Sequence, residues 1–196
     1  MNVQCVTVGP IGTNCYIVSL EGRNDAVIID PGAEAENIKK ALGNKNAAAV
    51  LLTHGHFDHT GALAAFTDAP ICIHPADEIM LRDAAWSVGQ EVGDTAKRPD
   101  ATDFVQEGTA LHFAGLEISV MHTPGHTLGG VCYRIGDCLF SGDTLFAHGY
   151  GRTDFPGGDF AALMGSLRRL LKMPEDLKVY PGHGPATTLS RERSGM

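Results

Sequence analysis

The sequence predicts an α+β fold, on three observations. Short strand-like runs dominate both halves of the chain, and each half also carries one helix-forming segment able to cover a sheet. The residues with the most reactive side chains sit on turns where those strands end. At 196 residues the chain fits one domain, expected over 1–196, and 43% hydrophobic residues can fill its core.

The elements follow in order. Val3 to Val8 and Asn14 to Ser19 are β-rich runs joined by Gly9-Pro10-Ile11-Gly12, which predicts a hairpin. Ala26 to Ile29 reads as a buried strand stopped by Asp30-Pro31-Gly32. Ala33 to Leu42 is a helix with Ile38, Ala41 and Leu42 on one face and Gly43 as its stop. Ala48 to Leu52 is a second buried strand that leads directly into a histidine cluster. A short helix over Gly61 to Phe66, a strand over Ile71 to His74 and a helix over Ala76 to Leu81 come next. Arg82 to Asp103 has no clear period, mixes Trp86, Gly89, Gly93 and Pro99 with charges, and reads as a long loop or lid. Leu111 to Phe113 with Glu117 to His122, and Val131 to Ile135 with Cys138 to Ser141, form two hairpins. Phe160, Leu163, Leu167, Leu170 and Leu171 trace the buried stripe of a helix begun by Asp159 and closed by Pro174. Lys178 to Tyr180 is a last strand, and the polar tail from Ser190 to Met196 is expected to fray.

Composition narrows the function. A net charge of −8 gives no basic surface for nucleic acid, so no nucleic-acid partner is expected. No apolar run reaches the roughly 20 residues that span a bilayer, so no membrane partner is expected. The N-terminus lacks a basic stretch followed by an apolar one, and a cytoplasmic location is expected. The expected partners are a small-molecule substrate and, in a homodimer, a second copy of the chain. The five cysteines have no Cys-x-x-Cys spacing and read as buried reduced thiols. Cys132 and Cys138 flank a hairpin turn and would point to opposite faces, which disfavours a bridge.

The chemical signal is concentrated in Thr53-His54-Gly55-His56-Phe57-Asp58-His59. Neutral imidazoles and an ionised carboxylate are costly to bury unpaired, so these residues do not read as packing. Zinc accepts both ligand types, and a centre with an open coordination position can activate water. His126 in Thr-Pro-Gly-His, Asp143 in Ser-Gly-Asp-Thr and His183 in Pro-Gly-His-Gly supply further isolated donors. Together they read as a two-metal hydrolytic centre. His74, His112, His122 and His148 lie outside these motifs and are expected to pack or face solvent, with His148 near enough to Asp143 to line a pocket. Trp86 is expected in the core.

In this order, His54-Gly55-His56-Phe57-Asp58-His59, Thr123-Pro124-Gly125-His126-Thr127, Ser141-Gly142-Asp143-Thr144-Leu145-Phe146, Gly151-Arg152-Thr153-Asp154 and Pro181-Gly182-His183-Gly184 resemble the metallo-β-lactamase fold superfamily, in its glyoxalase II-like (hydroxyacylglutathione hydrolase-like) branch. With Gly12-Thr13-Asn14 and Ile29-Asp30-Pro31-Gly32, the resemblance covers nearly the whole chain. It implies a four-layer αβ/βα sandwich with metals on one edge. It also implies that His54, His56 and His126 hold one ion, that Asp58, His59 and His183 hold another, and that Asp143 bridges them. Asp30 would support the ligand loop. Asp58 and Asp143 are the expected catalytic carboxylates, and Arg152, with Tyr150 beside it, the expected substrate contacts. Asp154 would brace the Arg152 loop.

The expected cofactors are two divalent metal ions, Zn2+ first and Fe or Mn as alternatives. Two ions roughly 3.5–4 Å apart can share a hydroxide at neutral pH. A thioester suits this equipment, because a thiol with a pKa near 8.5 can leave without prior protonation, whereas an amine needs an acid. A glyoxalase II-type thioesterase acting on S-lactoylglutathione or a similar small thioester is therefore the leading expectation. Glyoxalase II enzymes carry a C-terminal helical domain with much of the glutathione contact; this sequence ends at Met196, soon after His183, so glutathione recognition is expected to differ. The alternatives are a non-haem iron persulfide dioxygenase, which shares the fold and a Gly-Arg-Thr-Asp-Phe run like Gly151 to Phe155, a lactone or β-lactam hydrolase, and a non-catalytic metal-binding scaffold.

Overall fold

The structure, a computed structural model, describes residues 1–195, and its core lies between two six-stranded sheets. The first sheet collects β1 (Asn2–Val8), β2 (Thr13–Ser19), β3 (Asp25–Ile29), β4 (Asn46–Leu51), β5 (Ile71–Ile73) and β6 (Asp103–Phe104), in that order. Its first three strands are antiparallel, and β3 to β6 run parallel. The second sheet orders β12 (Thr187–Thr188), β11 (Lys178–Pro181), β10 (Cys138–Gly142), β9 (Val131–Ile135), β8 (Leu116–His122) and β7 (Ala110–Phe113). Helix α1 (Ala35–Leu42) covers the first sheet and α3 (Phe160–Leu171) the second; a single turn, α2 (Phe57–Thr60), and a terminal helix, α4 (Leu189–Gly195), complete the set.

Strand alternation builds the layers. Tyr16, Val18, Val27, Ile29 and Leu51 point between the sheets and meet Ile118, Val120, Tyr133 and Phe140. The intervening Cys15, Ile17, Ile28 and Val50 point outward onto Ile38 and Leu42 of α1. Cys132, Leu139 and Val179 do the same against Leu163, Leu167 and Leu170 of α3. Burying each such leucine stabilises the fold by about 1.5–3 kcal/mol. Asp159 caps α3, its carboxylate accepting from the Ala162 amide at 3.0 Å. The four layers are those of the αβ/βα sandwich.

Strand direction then places the chemistry. β3 and β4 are parallel and end side by side, so Asp30 and Thr53-His54 emerge at one edge. β8 and β10 flank β9 antiparallel and therefore run the same way, and β11 is parallel to β10. The turns after β8, β10 and β11, carrying His126, Asp143 and His183, all open at that edge too. Two contacts lock the sheets there: Asn14 N donates to Gly182 O at 2.7 Å, and Val131 N to Thr53 O at 2.8 Å.

Several expectations change. The helix expected over Gly61 to Phe66 is instead α2, starting at Phe57, followed by a 3-10 turn at Leu63–Ala65; the segment after β5 is also a 3-10 helix, Pro75–Leu81. The tail expected to fray forms α4 through Gly195, because buried Glu192 accepts from Thr187 Oγ1 at 2.6 Å and from the His148 amide at 2.8 Å; Met196 lies outside the described residues. Cys5 is exposed rather than buried, being on the edge strand β1, while all five cysteines are free. Trp86 is 36% exposed, so it belongs to the surface of the long loop and not to the core. Among the described residues no helix is long and apolar enough to cross a membrane.

Candidate metal centre

The seven candidate donors converge at the shared edge. His54, His56 and His126 offer atoms that all lie within 4.8 Å of one another, as do Asp58, His59 and His183. Asp143 stands between the trios: its Oδ2 is 3.5 Å from His126 Nε2 and 3.6 Å from His183 Nε2, and its Oδ1 is 3.5 Å from His59 Nε2. His183 Nε2 and His59 Nε2 each lie 3.2 Å from Asp58 Oδ2. His56 Nδ1 faces His126 Nε2 at 3.0 Å.

Local structure explains how each ring is aimed. His54 and His56 are two apart on an extended segment, which turns into α2 and presents Asp58 and His59 in its single turn. The Arg152 carbonyl accepts from His126 Nδ1 at 2.7 Å, so the lone pair of that ring is on Nε2. Asp30 Oδ2 lies 3.0 Å from His59 Nδ1, which likewise directs Nε2 inward. The other Asp30 contacts are the Thr53 amide at 2.8 Å and Thr53 Oγ1 at 2.6 Å. With its oxygens so engaged, Asp30 braces the loop rather than joining the donor set, although it lies within reach of His54 and His59. Thr13 Oγ1 donates to Asp58 Oδ2 at 2.7 Å, and Asn14 Nδ2 ties down the His183 turn through the carbonyls of Pro181 and Gly184, at 3.1 and 2.8 Å. At Gly182 a Cβ would sit 2.1 Å from Asp143 Oδ1, so only glycine lets the β11 turn approach this closely.

The charges fit a cation. His54 Nε2, His56 Nε2, His59 Nε2 and Asp143 Oδ1 are buried without a hydrogen-bond partner. Each such atom costs about 1–3 kcal/mol when left unsatisfied. Burial, followed by the neighbouring imidazoles, holds His54 well below the ordinary histidine range; burial and His126 bring His56 down to about 3. Those rings are neutral, as metal ligation requires. Burial opposes charge on His59 as well, but the carboxylates of Asp58, Asp143 and Asp30 outweigh it and raise its pKa well above the ordinary value. Burial similarly opposes ionisation of Asp58, yet His59, His183 and Thr13 hold it well below the carboxylate range. Surplus negative charge and lone pairs therefore face one small volume, and the residues present fit two divalent ions.

Above the donors opens a cavity of about 470 Å³. Ile11, Phe57, Val88, Val92, Phe146 and Phe155 give it apolar walls, with Glu91 and Arg152 among its polar groups. Arg152 is paired with Asp154, at 2.6 and 2.5 Å, and its guanidinium carbon lies 3.9 Å over the Phe155 ring. The pair brings the Asp154 carboxyl down to about 2. Two expected cavity residues are elsewhere. Tyr150 is 44% exposed and its ring turns toward Phe160, 6.3 Å away, so it is not part of this wall. His148 is exposed, because its positive φ and the Glu192 hydrogen bond turn that residue outward. Sequence reasoning assigned no role to Thr13, Asn14 or the apolar rim of Ile11 and Val92; their partners lie far along the chain, and only the Gly12-Thr13-Asn14 match hinted at them.

Two sheets opening onto a paired His/Asp donor set define a metallo-hydrolase architecture. The Metallo-beta-lactamase superfamily model matches residues 8–183, and the chain belongs to that superfamily. Hydroxyacylglutathione hydrolase GloC of Haemophilus influenzae is 36% identical over 204 residues, covering 98% of this chain and 95% of the relative. Among solved structures, the BLEG-1 B3 metallo-beta-lactamase superposes with a TM-score of 0.93 at 36% identity, covering 98% of this chain and 97% of that one. TTHA1623, solved in a di-iron-bound form, gives 0.86 at 40% identity, with 97% and 96% covered.

Proposed function

We propose that this metallo-hydrolase cleaves small thioesters, with two metal ions held by His54, His56 and His126 on one side, by Asp58, His59 and His183 on the other, and by Asp143 between them. The observation that carries the reading is the convergence of seven donors from both sheets beneath an open, largely apolar cavity. Bound there, divalent ions would supply Lewis acidity and an activated water. Zinc suits the imidazole and carboxylate donors, and iron or manganese is compatible with the same set.

The chain's own groups orient the reaction. Asp58, fixed by Thr13, stays a carboxylate at neutral pH and would accept a hydrogen bond from the attacking water. Asp143 lies between the two donor trios, where it would join the ions they hold. The apolar walls receive the uncharged part of the acyl group, and Arg152 offers a cation to an anionic substituent. Outside the donor set, Glu91 is the acidic residue lining the cavity, and it sits on an exposed turn. A thiol leaving group departs as an anion near neutral pH and so makes the least demand on the cavity for a proton donor. The hydroxyacylglutathione hydrolase name of the Haemophilus relative supports the same class.

The test is a panel of S-acyl thioesters, including S-lactoylglutathione, on metal-loaded protein, with glutathione persulfide in an oxygen electrode beside it. Thioester turnover that disappears on chelation and returns with metal is expected. Oxygen uptake on the persulfide with no thioester cleavage would overturn the reading in favour of a dioxygenase.

A further inference from the structure

Beneath the His54/His56/His126 trio lies a carboxylate outside the donor set. Asp77 is fully buried in the 3-10 helix after β5. Its Oδ2 accepts from Thr127 Oγ1 at 2.7 Å, and its Oδ1 from the Gly129 amide at 2.6 Å. The Gly55 amide lies near enough to the same carboxylate to oppose the rise in its pKa. Both hydrogen-bond partners are neutral. Gly55 separates His54 from His56, and Thr127 follows His126 directly. The Asp77 turn thus touches both loops that build this trio, one from each sheet: its side chain holds the Thr127-to-Gly129 loop by hydrogen bonds, and its backbone meets Gly55 in close packing.

The glycines give an independent indication of the same fit. A Cβ on Gly55 would come within 2.6 Å of Met80 Cβ and 2.9 Å of the Asp77 carbonyl oxygen. A Cβ on Gly129 would lie 2.7 Å from Asp77 Oδ1. Both loops carry glycine where they press against the Asp77 turn, so the turn acts as a wedge of fixed thickness between them. A buried carboxylate facing only neutral donors is expensive to maintain, and burial does push the Asp77 pKa up. What it provides is a short, charge-assisted grip on the Thr127 hydroxyl and the Gly129 amide, each bond roughly twice as strong as a neutral acceptor gives.

We propose that Asp77 is a positioning residue for one metal: it sets the separation of the His54-Gly55-His56 and His126 loops, and thereby the affinity of the ion those three histidines hold. The Asp58/His59/His183 trio is braced differently, by Thr13, Asp30 and Asn14, and does not depend on it. The inference concerns binding and stands whatever the substrate proves to be.

Zinc titration of the metal-free protein against a chromophoric chelator, followed by a zinc-edge anomalous map of partly loaded crystals, tests it. Asp77→Ala should weaken one of the two ions by roughly 10–100-fold, the span typical of groups that support a ligand, and the map should show the loss at His54/His56/His126. Thr127→Val should act in the same direction with smaller size, and Thr127→Ser, which keeps the hydroxyl, should bind like the wild type. If Asp77→Ala does not fold, the Thr127→Val and Thr127→Ser pair decides. Variants that melt earlier without metal yet bind both ions with wild-type affinity, or a loss shared equally by both trios, would overturn the proposal.

Discussion

At the residue scale, the centre depends on what each imidazole does with its second nitrogen. The Arg152 carbonyl at His126 and the Asp30 carboxylate at His59 each hold one ring nitrogen and free the other for the shared volume. Arg152 has two separable roles, because its carbonyl orients His126 while its guanidinium, stacked on Phe155, reaches the cavity. Arg152→Ala keeps the first and deletes the second. It should raise KM for an anionic thioester severalfold, with a smaller effect on kcat. Equal KM values for the variant and wild type would remove the guanidinium from substrate binding. The His54-to-His59 cluster stood out in the sequence because imidazoles at such spacing have no apolar explanation, while His126, Asp143 and His183 stood out on glycine-rich turns and through the family resemblance. Asp77 and Thr13 were not, since their partners lie 50 and 45 residues away and an Asp or Thr near a turn has many ordinary uses.

At the scale of elements, strand direction does most of the placement. The long strands and α3 could be read in advance, because runs of β-branched and aromatic residues and a leucine stripe are strong signals over five to twelve residues. The two-residue strands β6 and β12 carry no period, and the 3-10 turns after β4 and β5 are too short to show a helical one. One contact between elements has a measurable acid dependence. His74 after β5 stacks on His122 at the end of β8, with rings 4.3 Å apart and 4° from parallel. His74 Nδ1 accepts from the Ala76 amide, and His122 lies against the Leu128 carbonyl. Burial, then the facing His122, brings the His74 pKa down from 6.5 to about 4. A depressed pKa contributes stability that is complete above 6.5 and is lost as pH falls toward 4. His54 and His56 share that sign, so the metal-free protein should lose stability steadily over this interval. In chemical denaturation at a series of pH values, His74→Phe should flatten the slope between 6.5 and 4; a slope identical to wild type would contradict the stacked-pair account.

At the scale of the molecule, two sheets with their own outer helices meet along a core, and the proposed centre exists only where both contribute. His54 to His59 come from the first half, His126, Asp143 and His183 from the second, and the bonds from Asn14 to Gly182 and from Val131 to Thr53 join the halves beside them. Superfamily membership and the sandwich rest on matches along nearly the whole chain. Substrate choice within the proposed thioester class would rest instead on the smaller apolar wall that includes Ile11, Val88 and Val92, where sequence offers no motif. The most direct test of the central claim is an anomalous-scattering map of crystals grown with zinc. The account predicts two peaks, one among His54, His56 and His126 and one among Asp58, His59 and His183, with Asp143 touching both. No peak at either trio, or a single ion closed off by four protein ligands, would contradict it.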